Sequence, residues 1–358
     1  MALASGIAVP TFSRAADENK SYYPSMRRVL VTGTSGFIAS HLAETLLRNG
    51  AQVLGLDKRP AVYPLPGARL VVCDLLDRPT LTRVVSEFRP DTIFHLAARA
   101  DLDDRVPLQE GYAANIRGVE HLMQAIGEVG DVRRCVVVST QMVCPIGYRP
   151  THDQDFCPNS KYGESKVLTE QIVRRHDGGG TEWCLVRPTT VWGPRMNPDY
   201  LRFFRLIRTG SYVHVGARPI MKTYGYVGNV VYQMLALAAA PADRIHRRVF
   251  YTADYQPVSV QAWAEAFQKA MGAPPIRTIP LPIAVAGARM GDLLNGLGWH
   301  RFPFNSFRLH NVTTSFESDL GPIREVCGEL PFALEEGAAR TVDWVRETLD
   351  AGNPVSPG

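Results

Sequence analysis

The sequence predicts a doubly wound α/β fold, a parallel sheet wrapped by helices, with a smaller C-terminal part interleaved with it. Three observations predict it. Short β-branched runs alternate with longer helical patterns through the first half. The first strand runs straight into a helix through a Gly-x-x-Gly turn. After Pro188 this order loosens, and proline and glycine become frequent.

In chain order, strands are expected at Val29–Thr32, Gln52–Leu56, Arg69–Cys73, Thr92–Leu96, Arg134–Ser139 and Trp183–Arg187. Helices are expected between them at Gly36–Asn49, Thr80–Phe88, Leu108–Val129 and Tyr162–His176, with Asn49-Gly50 and Gly178-Gly179-Gly180 as helix stops. Further helices are expected near Asn229–Ala239, Val260–Met271 and Leu334–Leu349, separated by loops. Residues 26–195 then form a nucleotide-binding domain, and residues 196–358 mainly a substrate-binding part with segments packing back on it. Residues 1–25 are an extension, dispensable or a start-site artefact, because Met26 stands just before the first strand.

The chain has 358 residues, 45% hydrophobic and 21% charged, a composition that supports a substantial core and excludes a fibre or a mostly disordered chain. Net charge is +4, and basic residues cluster no further than pairs such as Arg27-Arg28 and Arg133-Arg134. Nothing there points to a nucleic-acid partner. The six cysteines show no Cys-x-x-Cys spacing and no paired histidines, so no metal site and no disulfide framework is signalled. The short apolar start, Ala2 to Pro10, is broken by Ser5 and Gly6 and has no basic segment before it, which makes a poor secretory signal. No apolar run approaches the ~18 residues that cross a bilayer. The expected compartment is the cytoplasm, with no membrane partner.

Gly33 and Gly36 lie between the first strand and its helix. Gly33 permits the tight turn, Gly36 lets the backbone approach a pyrophosphate, and the helix N-terminus offers free N–H groups and partial positive charge. Ala39 stands where a third glycine is common, and its small side chain still allows close helix–strand packing. The alternative is a turn that merely joins strand to helix. Asp57 ends the second strand about 20 residues further on, where a carboxylate accepts the ribose hydroxyls of NAD and repels the 2′-phosphate of NADP. NAD is the expected cofactor, although Lys58 and Arg59 follow and could recruit a phosphate. Asp74, ending the third strand, suits the adenine amino group or is simply a turn former.

Tyr162 and Lys166, four residues apart at a helix start, share one face. Bringing a phenol from near 10 to about 7 takes roughly 4 kcal/mol of preferential phenolate stabilisation. An ammonium at about 4 Å supplies about that much at an effective dielectric near 20. Alone the pair is weak, since such spacing is common on solvated helices. A second feature joins it: Val136-Val137-Val138 is a buried strand ending in Ser139 and Thr140, at the edge where such folds bind ligands. Thr140 can hydrogen-bond the substrate oxygen that Tyr162 deprotonates; alternatively the two hydroxyls cap a strand end.

With these motifs the chain resembles the extended short-chain dehydrogenases/reductases, in the NAD-dependent epimerase/dehydratase group, from about Arg28 to Glu347. The carriers are Thr32-Gly33-Thr34-Ser35-Gly36-Phe37-Ile38, Phe94-His95-Leu96-Ala97-Ala98, Tyr112-Ala113-Ala114-Asn115-Ile116-Arg117-Gly118, Ser139-Thr140, Tyr162 to Lys166, and Arg187-Pro188-Thr189-Thr190-Val191-Trp192-Gly193-Pro194. The resemblance implies a Rossmann domain and a catalytic trio of Thr140, Tyr162 and Lys166. It implies that Asn115 steadies the active-site helix and a proton-relay water, that Ala97 lines the cofactor path, and that Pro188 lies beside the nicotinamide. Ser35, Phe37, Ile38, Leu75, Leu96, Ala98 and Ser139 complete the implied cofactor contacts. Helices Leu108–Val129 and Tyr162–His176 resemble the pair that forms a dimer seam in this family, which implies a homodimer.

The family's shared opening move is proton transfer to the tyrosinate with hydride transfer to NAD, leaving a ketone. Dehydratases of the family follow the Thr with an Asp-Glu pair, whereas here Gln141 and Met142 stand there and neither acts as acid or base. Dehydration is disfavoured. Lys222 resembles the family's Arg before its Tyr-Val segment, and Arg308 its later pyrophosphate-binding Arg; a solvated surface role is open for each. Thr190 replaces an Asn that many sugar-nucleotide members carry. Three functions compete: a nucleotide-sugar epimerase first, then an NAD-dependent dehydrogenase of a bulky, hydroxysteroid-like secondary alcohol suggested by Tyr226-Val227-Gly228-Asn229-Val230, then a non-catalytic NAD-binding protein.

Overall fold

The computed structural model describes residues 26–102, 104–197, 200–297 and 304–350. The extension expected over residues 1–25 lies outside them. The first half runs β1 (Arg28–Thr32), α1 (Phe37–Arg48), β2 (Gln52–Asp57), β3 (Arg69–Val72), α2 (Arg78–Phe88), β4 (Thr92–His95), α3 (Leu108–Gly111) and α4 (Ala113–Val129). It continues through β5 (Arg134–Val138), a 3-10 turn at Gln141–Val143, α5 (Lys161–Arg175), α6 (Asp177–Gly180) and β6 (Glu182–Pro188). The second half adds β7 (Thr190–Trp192), α7 (Leu201–Arg208), β8 (Val213–Val215), β9 (Met221–Lys222), β10 (Tyr224–Tyr226), α8 (Val227–Ala239), α9 (Ala242–Ile245) and β11 (Arg248–Thr252). It ends with β12 (Val258–Ser259), α10 (Val260–Met271), β13 (Arg277–Ile279), α11 (Leu281–Gly296), α12 (Ser306–Thr313), α13 (Gly321–Cys327) and α14 (Leu334–Asp350).

Seven strands form one parallel sheet in the order β11-β6-β5-β4-β1-β2-β3. Strand order reverses between β1 and β4, which opens a crevice at the carboxyl edge. The strands read as apolar runs because both sheet faces are covered. Alternate residues feed two cores: Val29, Val31, Phe94 and Val136 enter one, and Leu30, Ile93, Cys135 and Val137 the other. An aromatic cluster of Trp192, Trp263 and Phe267 ties β7 to α10 in the second half. No helix among the described residues is long and apolar enough to cross a membrane. All six cysteines are free.

Several boundaries differ from the sequence-based expectation. The helix expected over Leu108–Val129 breaks at Tyr112 (φ −114°, ψ 27°), whose buried side chain donates its hydroxyl to the Asp101 carbonyl at 2.7 Å. The helix expected to open at Tyr162 starts at Lys161, because Ser160 caps it by accepting from the Gly163 N–H at 3.1 Å. Likewise α2 begins before Thr80, since the Asp77 carboxylate accepts from the Thr80 N–H and Pro79 suits the first turn. The strand β11, joined to the sheet only through β6, has no counterpart in the sequence reading, nor do α11, α12 and α13.

Candidate active site

The sheet's carboxyl edge gathers the expected cofactor residues. Gly33 has φ +79°, and a Cβ there would lie 2.8 Å from the Ala97 nitrogen, so glycine is required on both counts. Its N–H donates to the Leu56 carbonyl at 2.7 Å, locking the turn to the end of β2. Gly36 is the N-cap of α1 and brings no capping side chain, so the first-turn N–H groups of α1, beginning at Phe37 and Ile38, have no side-chain cap. Asp57 sits beside this turn: its carboxylate accepts from the Ser35 N–H at 3.0 Å and from the Arg59 N–H at 3.1 Å. A glycine cradle, an uncapped helix start and a strand-end carboxylate beside the turn fit NAD.

The Thr32 hydroxyl binds the end of β4 to the same turn. It accepts from the Leu96 and Ala97 N–H groups at 3.2 and 3.1 Å and lies 2.8 Å from His95 Nδ1. Burial pulls the His95 imidazole down to about 3, which keeps it neutral. Ala98 is exposed in the loop beyond. Lys58 is also exposed, just past Asp57. Asp74 uses one carboxylate oxygen to accept from the Leu76 N–H at 2.9 Å, the turn-former geometry, while Leu75 is buried against Gly118. Pro188 is the buried last residue of β6.

Thr140, Tyr162 and Lys166 converge at the end of β5. Thr140 caps the 3-10 turn, accepting from the Met142 N–H at 3.2 Å, and its hydroxyl faces the Tyr162 phenol. Gly163 makes this approach possible: a Cβ there would lie 2.4 Å from the Met142 carbonyl oxygen. Lys166 is buried, and its ammonium donates to the Val138 carbonyl at 2.7 Å. Burial pulls Lys166 down to about 8, opposed by the Glu170 carboxylate one turn later. The Tyr162 phenol is pushed up by burial, and the hydrogen bond to Thr140 is what opposes that. The Lys166 ammonium is anchored on the strand end, one helical turn from the Tyr162 phenol, and Thr140 is the group that opposes the effect of burial on that phenol.

Asn115 is fully buried and clamps three segments. It accepts from the Arg99 N–H at 2.8 Å, and its amide donates to the Arg99 carbonyl and to Ser165 Oγ, each at 2.9 Å. Ser165 Oγ donates in turn to the Tyr162 carbonyl at 2.7 Å. Ser139 donates to Glu170 at 2.6 Å, and Glu170 is paired with buried Arg187.

The substrate-side residues are more dispersed. Gln141 and Met142 lie directly beyond Thr140, and Gln141 Oε1 is buried without a hydrogen-bond partner among the described residues. Thr190 opens β7, paired with Tyr224 of β10. Lys222 on β9 is half-buried, bridged to Phe316, and its ammonium is pulled down by burial. Arg308 is exposed on α12 and is not joined by hydrogen bond or ion pair to the Thr140–Tyr162–Lys166 group. Among the described residues no cluster of His, Cys, Asp or Glu could hold a metal.

Sequence reasoning missed Ser160, Gly163, Ser165 and Glu170. Two signals were available: Glu170 is four residues past Lys166, on the same helical face, and Arg187 is a charge inside a buried strand, which demands a buried partner.

Fold and site together define a dinucleotide-dependent enzyme of the extended short-chain dehydrogenase/reductase type. Within that type the chain belongs to the NAD dependent epimerase/dehydratase family, whose sequence model matches residues 29–251. Its cofactor is NAD. A 3-beta-hydroxysteroid dehydrogenase of Mycolicibacterium neoaurum is 28% identical over 292 residues, covering 77% of this chain and 78% of that protein. The N-acetyl-alpha-D-glucosaminyl-diphospho-ditrans,octacis-undecaprenol 4-epimerase of Escherichia coli O157:H7 is 26% identical over 326 residues, 88% of this chain and 94% of its own length. Among solved structures, a UDP-glucose 4-epimerase from Thermotoga maritima with UDP-glucose superposes with a TM-score of 0.68 at 26% identity, covering 90% of this chain and 99% of that one.

Proposed function

We propose that this enzyme epimerises a nucleotide sugar through a transient ketone. Tyr162, as the phenolate that the Lys166 ammonium favours, takes the hydroxyl proton of the reacting carbon while Thr140 holds the same oxygen. Lys166, anchored on the Val138 carbonyl, keeps the helix-borne phenol against the strand end. Bound NAD supplies the acceptor, and then the donor, of the hydride. After the ketone turns over in the site, Tyr162 returns the proton to the oxygen. Lys222 is the second-half cation assigned to the substrate diphosphate. The observation that carries this reading is the gathering of Thr140, Tyr162 and Lys166 at the end of β5, followed by Gln141 and Met142. That arrangement supports alcohol–ketone interconversion and offers no acid–base pair for elimination. A homodimer through α4 and α5 goes with this reading; sedimentation giving only monomer refutes that part.

The experiment is incubation with UDP-, GDP-, CDP- and dTDP-sugars, following stereochemistry by NMR and NADH by absorbance. Inversion at one carbon without NADH accumulation is expected. The hydroxysteroid dehydrogenase relative favours a second reading, oxidation of a bulky secondary alcohol. Stoichiometric NADH from such an alcohol, with no sugar turned over, would replace the first reading by the second.

A further inference from the structure

The helix α11 departs from the rule that a surface helix shows a polar face to water. Its inward face is made of small residues, Ala284, Ala288 and Gly291, which are buried. Opposite, Ile283, Met290 and Leu293 stand 61%, 55% and 57% exposed, and Leu297 at the C-cap is 71% exposed. At 100° per residue these four fall within one strip along the helix. With Leu281, 46% exposed, they put five of the exposed large hydrophobic side chains among the described residues on one helix and its C-cap, and apolar patches mark interaction sites.

Charge says what covers it. Chain-wide, 39 basic residues face 35 acidic ones. From Ala273 to Phe316 the only acidic residue is Asp292, and its carboxylate is engaged by the N–H and hydroxyl of Ser306. Arg277 on β13, Arg289 on α11 and Arg308 on α12 are all exposed around the helix. A second copy docked through this face about a two-fold axis would bring the same arginines together, which like-charge repulsion disfavours. An anionic surface complements them. An exposed apolar strip on a helix that carries Arg289, with exposed arginines on the adjoining β13 and α12, suits a surface that offers both an apolar interior and anionic groups.

We infer that α11 docks this enzyme on an anionic phospholipid surface, burying Ile283, Met290, Leu293 and Leu297 at the headgroup boundary with Arg277, Arg289 and Arg308 on lipid phosphates. The contact is peripheral, and it holds whichever substrate reading above is correct.

The test is flotation of the full chain with vesicles of phosphatidylcholine alone or mixed with phosphatidylglycerol. Expected is partitioning about tenfold or more higher on the mixed vesicles, weakened by high salt. The double variant Ile283→Glu/Leu293→Glu should lose about tenfold of that partitioning, while NAD affinity and circular dichroism stay as in the wild type. Wild-type protein that floats with neither vesicle overturns the inference, as does equal flotation with both. Unchanged flotation of a folded double variant also overturns it. So does a wild-type oligomer that this variant dissociates, which would make the face a contact between copies of the chain.

Discussion

The carboxylate of Glu170 and the guanidinium of Arg187 meet through two hydrogen bonds of 2.8 Å, with the side chains 0% and 1% exposed. Glu170 also accepts from Ser139, and Arg187 donates to the Asp153 carbonyl and to the Tyr251 hydroxyl. One buried pair thereby fastens α5 to the ends of β5 and β6 and to the loop before α5. Removing either partner strands a charge in the interior, which costs about 3–5 kcal/mol. Arg187→Met should lower unfolding free energy by that amount in urea, and the double variant Glu170→Gln/Arg187→Met should recover much of it. A single variant as stable as the wild type would refute the assignment.

The same pair bears on Lys166. The Glu170 carboxylate raises a lysine that burial has already pulled down to about 8. Without it the ammonium loses a proton at lower pH. In Glu170→Gln the Lys166 limb of the pH–rate profile should therefore move below about 8, a shift that a purely structural role for Glu170 would not produce.

Tyr162→Phe removes the hydroxyl that Thr140 contacts and leaves the ring in place. Turnover should fall about 10²- to 10⁴-fold, the range of a lost general acid–base group. NAD binding, measured by titration calorimetry, should change little. Turnover within twofold of wild type would remove Tyr162 from the mechanism.

Asp57→Ser withdraws a carboxylate from the glycine turn. A hydrogen bond to a charged group contributes about 1.5–3 kcal/mol, so NAD affinity should drop roughly 10- to 100-fold. NADP should lose less, because the repulsion of its 2′-phosphate disappears with the charge. Unchanged NAD affinity would place the ribose elsewhere.

Asp254 joins β10 to α8, accepting from the Tyr226 N–H at 3.1 Å and from the Asn229 amide at 2.7 Å. Burial pushes its carboxyl from 3.8 up to about 6. Between those values the native state keeps a proton that the unfolded chain releases, so this group's contribution falls as pH rises through that window and is constant above it. The change amounts to about 2–3 kcal/mol after solvent screening. Asp254→Asn should flatten it, visible in urea midpoints collected from acid to neutral pH. Parallel wild-type and variant curves would contradict this.

Local patterns carried much of the fold and of the site. Val29 to Gly36 reads as a strand, turn and helix start because glycine at a positive φ and a run of buried aliphatics leave few alternatives. The i, i+4 relation of Tyr162 and Lys166 is a property of any helix. What those patterns lacked was direction. Lys166 turns to the Val138 carbonyl, because a buried ammonium takes the nearest strong acceptor, and no spacing rule names that acceptor.

By itself the sequence determined the alternation of strands and helices from β1 to β6 and the dinucleotide turn, and it singled out Thr140, Tyr162 and Lys166 as candidates, since each is encoded by residues close in the chain. The tertiary structure alone decided the rest. It recruited β11 as the outer strand beside β6, joined Glu170 to Arg187 across 17 positions, and left the apolar face of α11 turned outward. These depend on which surfaces remain uncovered once the sheet is packed. Pairing of distant residues is settled by burial and desolvation over the whole chain, which no local window contains.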